Sequence, residues 1–305
     1  MSARAGHIDV YTRVTDQIIA ALENGTKPWE PSWNNGSRTG GVMPLRACCI
    51  PYKGINILLL WIAAEKAAYQ SPTWMTFKQA MELGGCVRKG EKGTGIVYAG
   101  AREVERETPT GESETDSIPF LKSYTVFNRE QIDGLPEIAA VAPVNDRFAE
   151  PKTPINAVET FVYAITSKII FGGSRAAYIP STDEIHMPPL DEFTTAEAFY
   201  ATLAHELIHF TKAKHRLDRS FDAKRFGDSG YAMEELVAEI GAAYLGAQFG
   251  FAPYHIEDHA SYLAHWLTVL KNDKRAIFTA ASYAQKAVDY LNEMAICASA
   301  VDCPS

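Results

Sequence analysis

The sequence is short of the features that define several common protein classes. It has only 5 cysteines in 305 residues. The count is odd, Cys48 and Cys49 are adjacent, and no CxxC pair occurs, so neither a disulfide framework nor a cysteine-held structural zinc is indicated. Long apolar runs are also missing. The longest, Ile55 to Ala64, is interrupted by Asn56 and falls well short of the ~20 residues that span a bilayer. The first residues, Met1 to Val14, contain no apolar core of a secretory signal,. There is no internal repeat, no low-complexity bulk and no GxxxxGK[ST] phosphate loop. Together these absences predict a soluble, cytoplasmic chain with no membrane partner. What is present is an apolar fraction of 47%, which with this length predicts two domains, each with its own core.

Charge is unevenly distributed. The net is −8 over the whole chain, which alone argues against a nucleic-acid partner. Residues 1–102, however, hold 12 Lys/Arg against 7 Asp/Glu, a net of +5, leaving 17 against 30, or −13, for residues 103–305. The two halves are therefore expected to meet different partners. Residues 103–117, EVERETPTGESETDS, have the acidic Ser/Thr-rich composition of an exposed loop. A strand is expected to resume over Phe120 to Phe127, which makes the loop a hairpin insertion. Prolines 136, 143 and 151 mark a linker over 136–153. The expected fold is α+β: a mixed α/β domain over 1–135, then a mostly helical domain over 154–305 with a small edge sheet.

Within the second half, His205-Glu206-Leu207-Ile208-His209 forms an HExxH signature. At 3.6 residues per turn, positions i and i+4 share a helix face, so both imidazoles can aim a nitrogen at one metal. Glu206 sits beside them, placed to take a proton from an attacking water as general base. Thr194 and Thr195 are the expected caps, and Phe199, Leu203, Leu207 and Phe210 give the helix an apolar surround. The expected ion is Zn2+, with another divalent metal such as Mn2+ also compatible.

A catalytic zinc needs a third protein ligand. His215 has the spacing of the metzincin pattern HExxHxxGxxH, but Lys212 occupies its glycine position,. Glu235 and Glu239, four apart on a following amphipathic helix, share a face. Their arrangement resembles that of gluzincins, which implies Glu235 as ligand and Glu239 as the carboxylate that orients His205. Glu235 ranks above Glu239, and both above His215. Upstream, residues 176–180 and 184–188 read as two strands around a Ser-Thr-Asp turn, an edge able to hold an extended polypeptide. Tyr231, His255 and His259 are candidates for stabilising an oxyanion.

In the first half, a helix is expected from Ile8 to Asn24, ending at Gly25. Rings and cations then interleave as single-stranded nucleic acid requires, bases stacking on aromatics while ammonium and guanidinium groups follow the phosphates. The candidates are Trp29, Trp33, Arg38, Tyr52, Lys53, Asn56, Trp74, Lys78, Arg88, Lys89 and Lys92. Trp61, inside an apolar helix, is expected in the core.

Longer stretches carry a family resemblance. IDVYTRVTDQIIAALENGTKPW, YKGINILLLW, SPTWMTFKQAMELGGCVRKGEKGT and YTVFNREQIDGLP resemble the N-terminal domain of ArdC antirestriction proteins, which is also found fused to conjugative primases. YIPSTDEIHMP, HELIHFTKAKHRLDR and YAMEELVAEIGAAYL resemble the zincin-like domain that completes ArdC. The likeness runs from about Ile8 to Leu291, with Phe210 and Lys212 where many relatives have Trp and Gly. It implies a plasmid-encoded protein that binds single-stranded DNA and carries a metallopeptidase fold, helping conjugative DNA escape host type I restriction. The polypeptide partner is expected to be a restriction-system component or a repressor. Two alternatives stay open: a DNA-coating protein whose metal domain is not proteolytic, and a regulatory protease that cleaves a repressor.

Overall fold

The computed structural model describes residues 9–30, 42–107, 113–136, 156–165, 168–221, 229–251 and 259–301. The first helix, α1 (Val10–Glu23), buries Val14, Ile18, Ile19 and Leu22, the stripe that its periodicity demands. It ends where Gly25 adopts a φ of 76°, the left-handed conformation that glycine tolerates best. A β-α-β unit follows: β1 (Leu45–Arg46) lies parallel to β2 (Thr73–Thr76), with α2 (Ile55–Ala67) between them. Ile57 to Trp61 of α2 are all buried, as expected of a helix apolar on every side. Thr76 and Gln79 form a reciprocal capping box that starts α3 (Phe77–Glu82),. Trp74 therefore belongs to a strand, and Phe77 opens the short helix.

The first-half sheet has the order β1-β2-β5-β4, formed with β4 (Thr94–Glu107) and β5 (Ser113–Asn128). A small pair, β3 (Cys86–Val87) with β6 (Ile132–Asp133), lies beside it. The acidic segment expected as an exposed loop, 103–117, is instead mostly ladder. Glu103 pairs with Ser117 and Glu107 with Ser113, and the intervening residues 108–112 lie outside those described. The register accounts for this. Glu105 stands opposite Thr115, Val104 opposite Asp116 and Arg106 opposite Glu114, so no two like charges face each other across the ribbon.

In the second half, α4 (Asn156–Ala164) precedes a sheet ordered β7-β9-β8, made of β7 (Lys168–Phe171), β8 (Ala177–Ile179) and β9 (Glu184–Met187). The expected strand, turn and strand are therefore present, with β8 on an edge. Among the described residues, helices α5 (Ala196–Phe210), α6 (Ser229–Phe249), α7 (His259–Asn272) and α8 (Ala276–Val301) follow. No helix among the described residues is long and apolar enough to cross a membrane.

The architecture is α+β as expected, but the two cores are one. Among the described residues one buried apolar cluster runs from Val14 to Leu291, beside a small second one of Met75, Ala80 and Ile132. Trp29 packs edge-on against Trp266 at 5.4 Å, and Trp61 lies 6.0 Å from Tyr244. The Tyr244 hydroxyl donates to the Gly54 carbonyl at 2.8 Å, Thr15 donates to the Lys274 carbonyl at 2.6 Å, and Lys53 pairs with Asp289 at 2.9 Å. Sequence regions 1–135 and 154–305 thus share their interior, and the linker expected over 136–153 lies, apart from Pro136, outside the described residues.

The close approach of α5 and α6 depends on Gly241. A Cβ there would stand 2.7 Å from Ile208 Cγ1 and Cδ1, and Ile208 lies between the two histidines. Gly241→Val is expected to cost about 1–3 kcal/mol by overpacking and to weaken divalent-metal binding. Pairing it with Ile208→Ala should restore part of both losses, as thermal melting and metal titration of the four proteins of the cycle would show.

Candidate functional site

Helix α5 begins at Thr195, whose hydroxyl accepts the Ala198 N–H at 3.1 Å,. From Ala198 to Phe210 every residue is buried, so its polar members must find partners inside the protein. His205 and His209 lie one turn apart with their rings 4.8 Å from each other, and Glu235 reaches them from α6. His205 Nε2 and His209 Nε2 are 3.1 Å apart. Glu235 Oε2 is 3.4 Å from the first and Oε1 is 3.4 Å from the second.

These spacings test whether a metal fits. Ligand atoms held about 2.0–2.2 Å from a tetrahedral ion stand about 3.4 Å from one another, and all three observed edges are close to that. The tautomers agree. His209 Nδ1 faces the Glu234 carboxylate at 2.9 Å and so holds a proton, which turns its Nε2 toward His205 and Glu235. Two imidazole nitrogens and a carboxylate converging in a buried space favour positive charge between them, and the donor set suits a divalent ion.

The atoms behind the ligands were only partly anticipated. Glu234 accepts from Arg219 Nε at 2.8 Å and from Arg219 Nη2 at 2.9 Å. Arg219 also donates to the Ile208 carbonyl and to Thr211 Oγ1, both at 3.0 Å, thereby satisfying groups at the C-terminal end of α5. Burial opposes charge on Glu234, yet Arg219 and His209 hold its carboxyl down at about 2. Burial likewise opposes charge on His209, but Glu234 and Glu235 outweigh it and raise the imidazole to about 10. Burial raises Glu239 to about 7, against the pull of His205 and Lys27. Glu239 faces His205 Nδ1 at 3.8 Å, on the side expected for an orienting carboxylate though longer than a hydrogen bond.

Glu206 is also buried, and its Oε2 accepts the Tyr178 backbone N–H at 2.7 Å. Since β8 pairs with β9 on its other side, this contact sets Glu206 against the edge of β8 that no strand among the described residues covers. The turn after β8 is fixed by Asp183, whose φ is 56°. It accepts from the Tyr178 hydroxyl at 2.9 Å and from Arg216, whose guanidinium lies 3.5 Å from the centre of the Phe210 ring. His215 is largely exposed and pairs with Asp183 at 3.2 Å, so the structure removes it from the ligand set. Tyr231 stacks on Tyr262 with the two hydroxyls 3.3 Å apart, and burial, Tyr262 and Glu235 raise its pKa. His255 and the side chain of His259 lie outside the described residues.

The expected nucleic-acid residues divide sharply. Trp29 is 0% exposed, Trp74 1% and Tyr52 6%, so none of these rings offers a face to a base. They are corrected to core residues: Trp29 fills the joint against Trp266, Trp74 packs on Tyr69, and the Tyr52 hydroxyl donates to the Trp74 carbonyl. Asn56 is corrected too, because its amide bonds both the N–H and the carbonyl of Val97, each at 2.8 Å, and fastens α2 to β4. Trp61 is buried, as expected. Lys53, Lys78, Arg88, Lys89 and Lys92 are exposed. Of these, Lys78 lies 3.6 Å from Glu82, and Arg88 pairs with Glu91 and Asp133. Trp33 and Arg38 lie outside the described residues.

Two measurements probe this frame. Glu234→Gln keeps the shape but weakens the hold on His209, and is expected to lower metal affinity about 10–100-fold in calorimetric titration. Arg216 beside Asp183 holds that carboxyl at about 2, below its usual 3.8. A carboxylate with a depressed pKa contributes stability that is fully present above 3.8 and fades as pH falls toward 2,. Asp183→Asn, which still tolerates the positive φ, should be less stable than the parent at neutral pH, with the gap closing between those two values in acid unfolding.

Comparison with known proteins bears on the same residues. Residues 8–127 match the family model described as the N-terminal domain of anti-restriction factor ArdC, and residues 156–283 match a zincin-like metallopeptidase model. An uncharacterized protein y4eC of Sinorhizobium fredii (strain NBRC 101917 / NGR234) is 39% identical over 93% of this chain and 92% of its own length. DNA primase TraC of Escherichia coli is 36% identical over 92% of this chain, which spans only 27% of that primase. The metal-free crystal structure of the antirestriction ArdC protein from plasmid R388 superposes with a TM-score of 0.81 at 44% identity, covering 95% of this chain and 99% of that one. Its Mn(II)-bound structure superposes with a TM-score of 0.78 at 43% identity, covering 94% and 98%. With both matched regions in the order of ArdC and nearly the whole of the R388 protein covered, the chain belongs to the ArdC antirestriction protein family.

Proposed function

We propose that this protein binds single-stranded DNA through its basic first half and hydrolyses a polypeptide at the His205, His209 and Glu235 centre, protecting incoming conjugative DNA from type I restriction. The observation that carries the catalytic part is the convergence of those three donor groups beside Glu206 and that edge of β8. A divalent ion such as Zn2+ on the three donors supplies Lewis acidity to the scissile carbonyl and to water. The R388 relative is described as Mn(II)-bound, which supports a divalent ion here.

The chain's own residues do the remaining work. An extended peptide adding to the edge of β8 runs past Glu206, with its backbone aligned by main-chain hydrogen bonds. Glu206, oriented by the Tyr178 N–H, takes a proton from the attacking water and passes it to the leaving amine. Tyr231, beside Glu235, donates a hydrogen bond to the developing oxyanion and keeps its proton. Burial of the His and Glu side chains keeps bulk water away and strengthens each of these interactions. The substrate is a restriction-system component or a repressor.

A second reading, coating of DNA without proteolysis, is favoured by the shared core, which makes the metal region structural support for the first half. Glu206→Gln separates the two in the intact protein. It is expected to retain fold and metal while lowering peptide cleavage at least about 10²-fold, with loss of protection in conjugation assays into restricting hosts. Full protection by a cleavage-dead Glu206→Gln protein would establish the coating reading instead.

A further inference from the structure

The buried tryptophans leave the DNA-binding reading without the rings it called for, but the β4–β5 ribbon supplies others. Tyr98 is 55% exposed and Tyr124 45%, although both sit in the middle of a paired ladder. Register explains how. Tyr98 faces Lys122, Gly100 faces Phe120 and Ile96 faces Tyr124, so Tyr98, Phe120, Lys122 and Tyr124 share one side of the ribbon. On the opposite side Val97 is buried, and Arg13 of α1 donates to Ser123 at 2.8 Å.

The exposed side is an ordered aromatic surface. Tyr98 lies 6.1 Å from Phe120 and 6.2 Å from Tyr124, and the Lys122 ammonium sits 4.9 Å from the centre of the Phe120 ring. Gly100 makes room for this: a Cβ there would stand 2.6 Å from Phe120 Cζ, so only glycine lets that ring lie across the neighbouring strand. A monomer seldom keeps a cluster of rings in water without a ligand for it.

We infer that Tyr98, Phe120 and Tyr124 form a stacking platform for the bases of single-stranded DNA, with Lys122 set against the phosphates. The inference rests on the DNA-binding reading above and gives it a location. Charge marks one end of the site. Exposed Lys89 and Lys92 precede β4 at the base of the ribbon. A polyanion is attracted to that end. The span from Lys92 to Gly100, eight residues at about 3.3 Å each, accommodates roughly four nucleotides, within the range of known single-strand sites. Faces of rings recognise any base, so binding should be indifferent to sequence.

The test uses the full-length protein and a fluorescein-labelled oligo(dT) read by anisotropy across a salt series. Tyr98→Ala/Tyr124→Ala is expected to weaken binding at least tenfold with little change in salt slope, and Tyr98→Phe/Tyr124→Phe to bind as the parent does. Lys122→Gln should reduce the slope of log affinity against log salt by about 0.7. Unchanged melting temperatures would show that the ribbon is intact. Photocrosslinking of an iodouracil-substituted oligonucleotide to the unaltered protein, mapped by mass spectrometry, should mark the β4–β5 peptides. If the parent binds oligo(dT) and the alanine pair binds equally well, the platform is overturned while the DNA-binding reading stands; a protein-docking role for these rings would give that result. If the parent binds no oligo(dT), both fall.

Discussion

Placing His205, Glu206, His209 and Glu234 below 10% exposure between two packed helices is the constraint on which the rest of the structure depends. Charged and strongly polar side chains removed from water must be compensated or they destabilise the fold. Glu234 is compensated by Arg219 and His209, and Glu206 by the Tyr178 N–H. The two Nε2 atoms and the Glu235 carboxylate face one another at 3.1–3.4 Å, a spacing that suits donors around a cation. Arg219 in turn closes the end of α5, and Gly241 allows α6 close enough for Glu235 to reach across. Compensation of buried charge and helix packing are thus two aspects of one arrangement.

The first half of the chain is bound into that arrangement. Lys27, near Glu239, and Trp29, against Trp266, bring the segment after α1 to the back of the metal centre. Lys53 to Asp289 and Gly54 to Tyr244 anchor the start of α2 on α8 and α6. A chain whose halves differ by net charges of +5 and −13 therefore has one interior with two electrostatically distinct surfaces. A polyanion is attracted to the first and repelled by the second.

Much of the site was legible in the sequence because helical periodicity is local. His205 and His209 at i and i+4, and Glu235 with Glu239 four residues later, need no tertiary knowledge to be placed on common faces. Glu234 was not legible: in the pair Glu234-Glu235 either carboxylate could face the histidines. The choice depends on Arg219, fifteen residues away across a stretch that includes 222–228. The rings misled for a related reason. A tryptophan flanked by lysine and proline has the same local signature whether it lies on a surface or in a joint between segments, and only Trp266, more than two hundred residues later, decides the fate of Trp29. The ribbon was hidden by composition. Glutamate, serine and threonine suggest a loop, and their compatibility with a strand emerges only once the register sets each acid opposite a neutral or basic partner.

The most direct measurement of the central claim is an anomalous-difference map from crystals of the protein loaded with zinc, recorded on both sides of the zinc absorption edge. The account predicts one dominant peak about 2.0–2.2 Å from His205 Nε2, His209 Nε2 and a carboxylate oxygen of Glu235, with Glu234 and Glu239 outside bonding distance. A peak bound by Glu239 or His215 in place of Glu235, or no peak between the two imidazoles at saturating zinc, would contradict it.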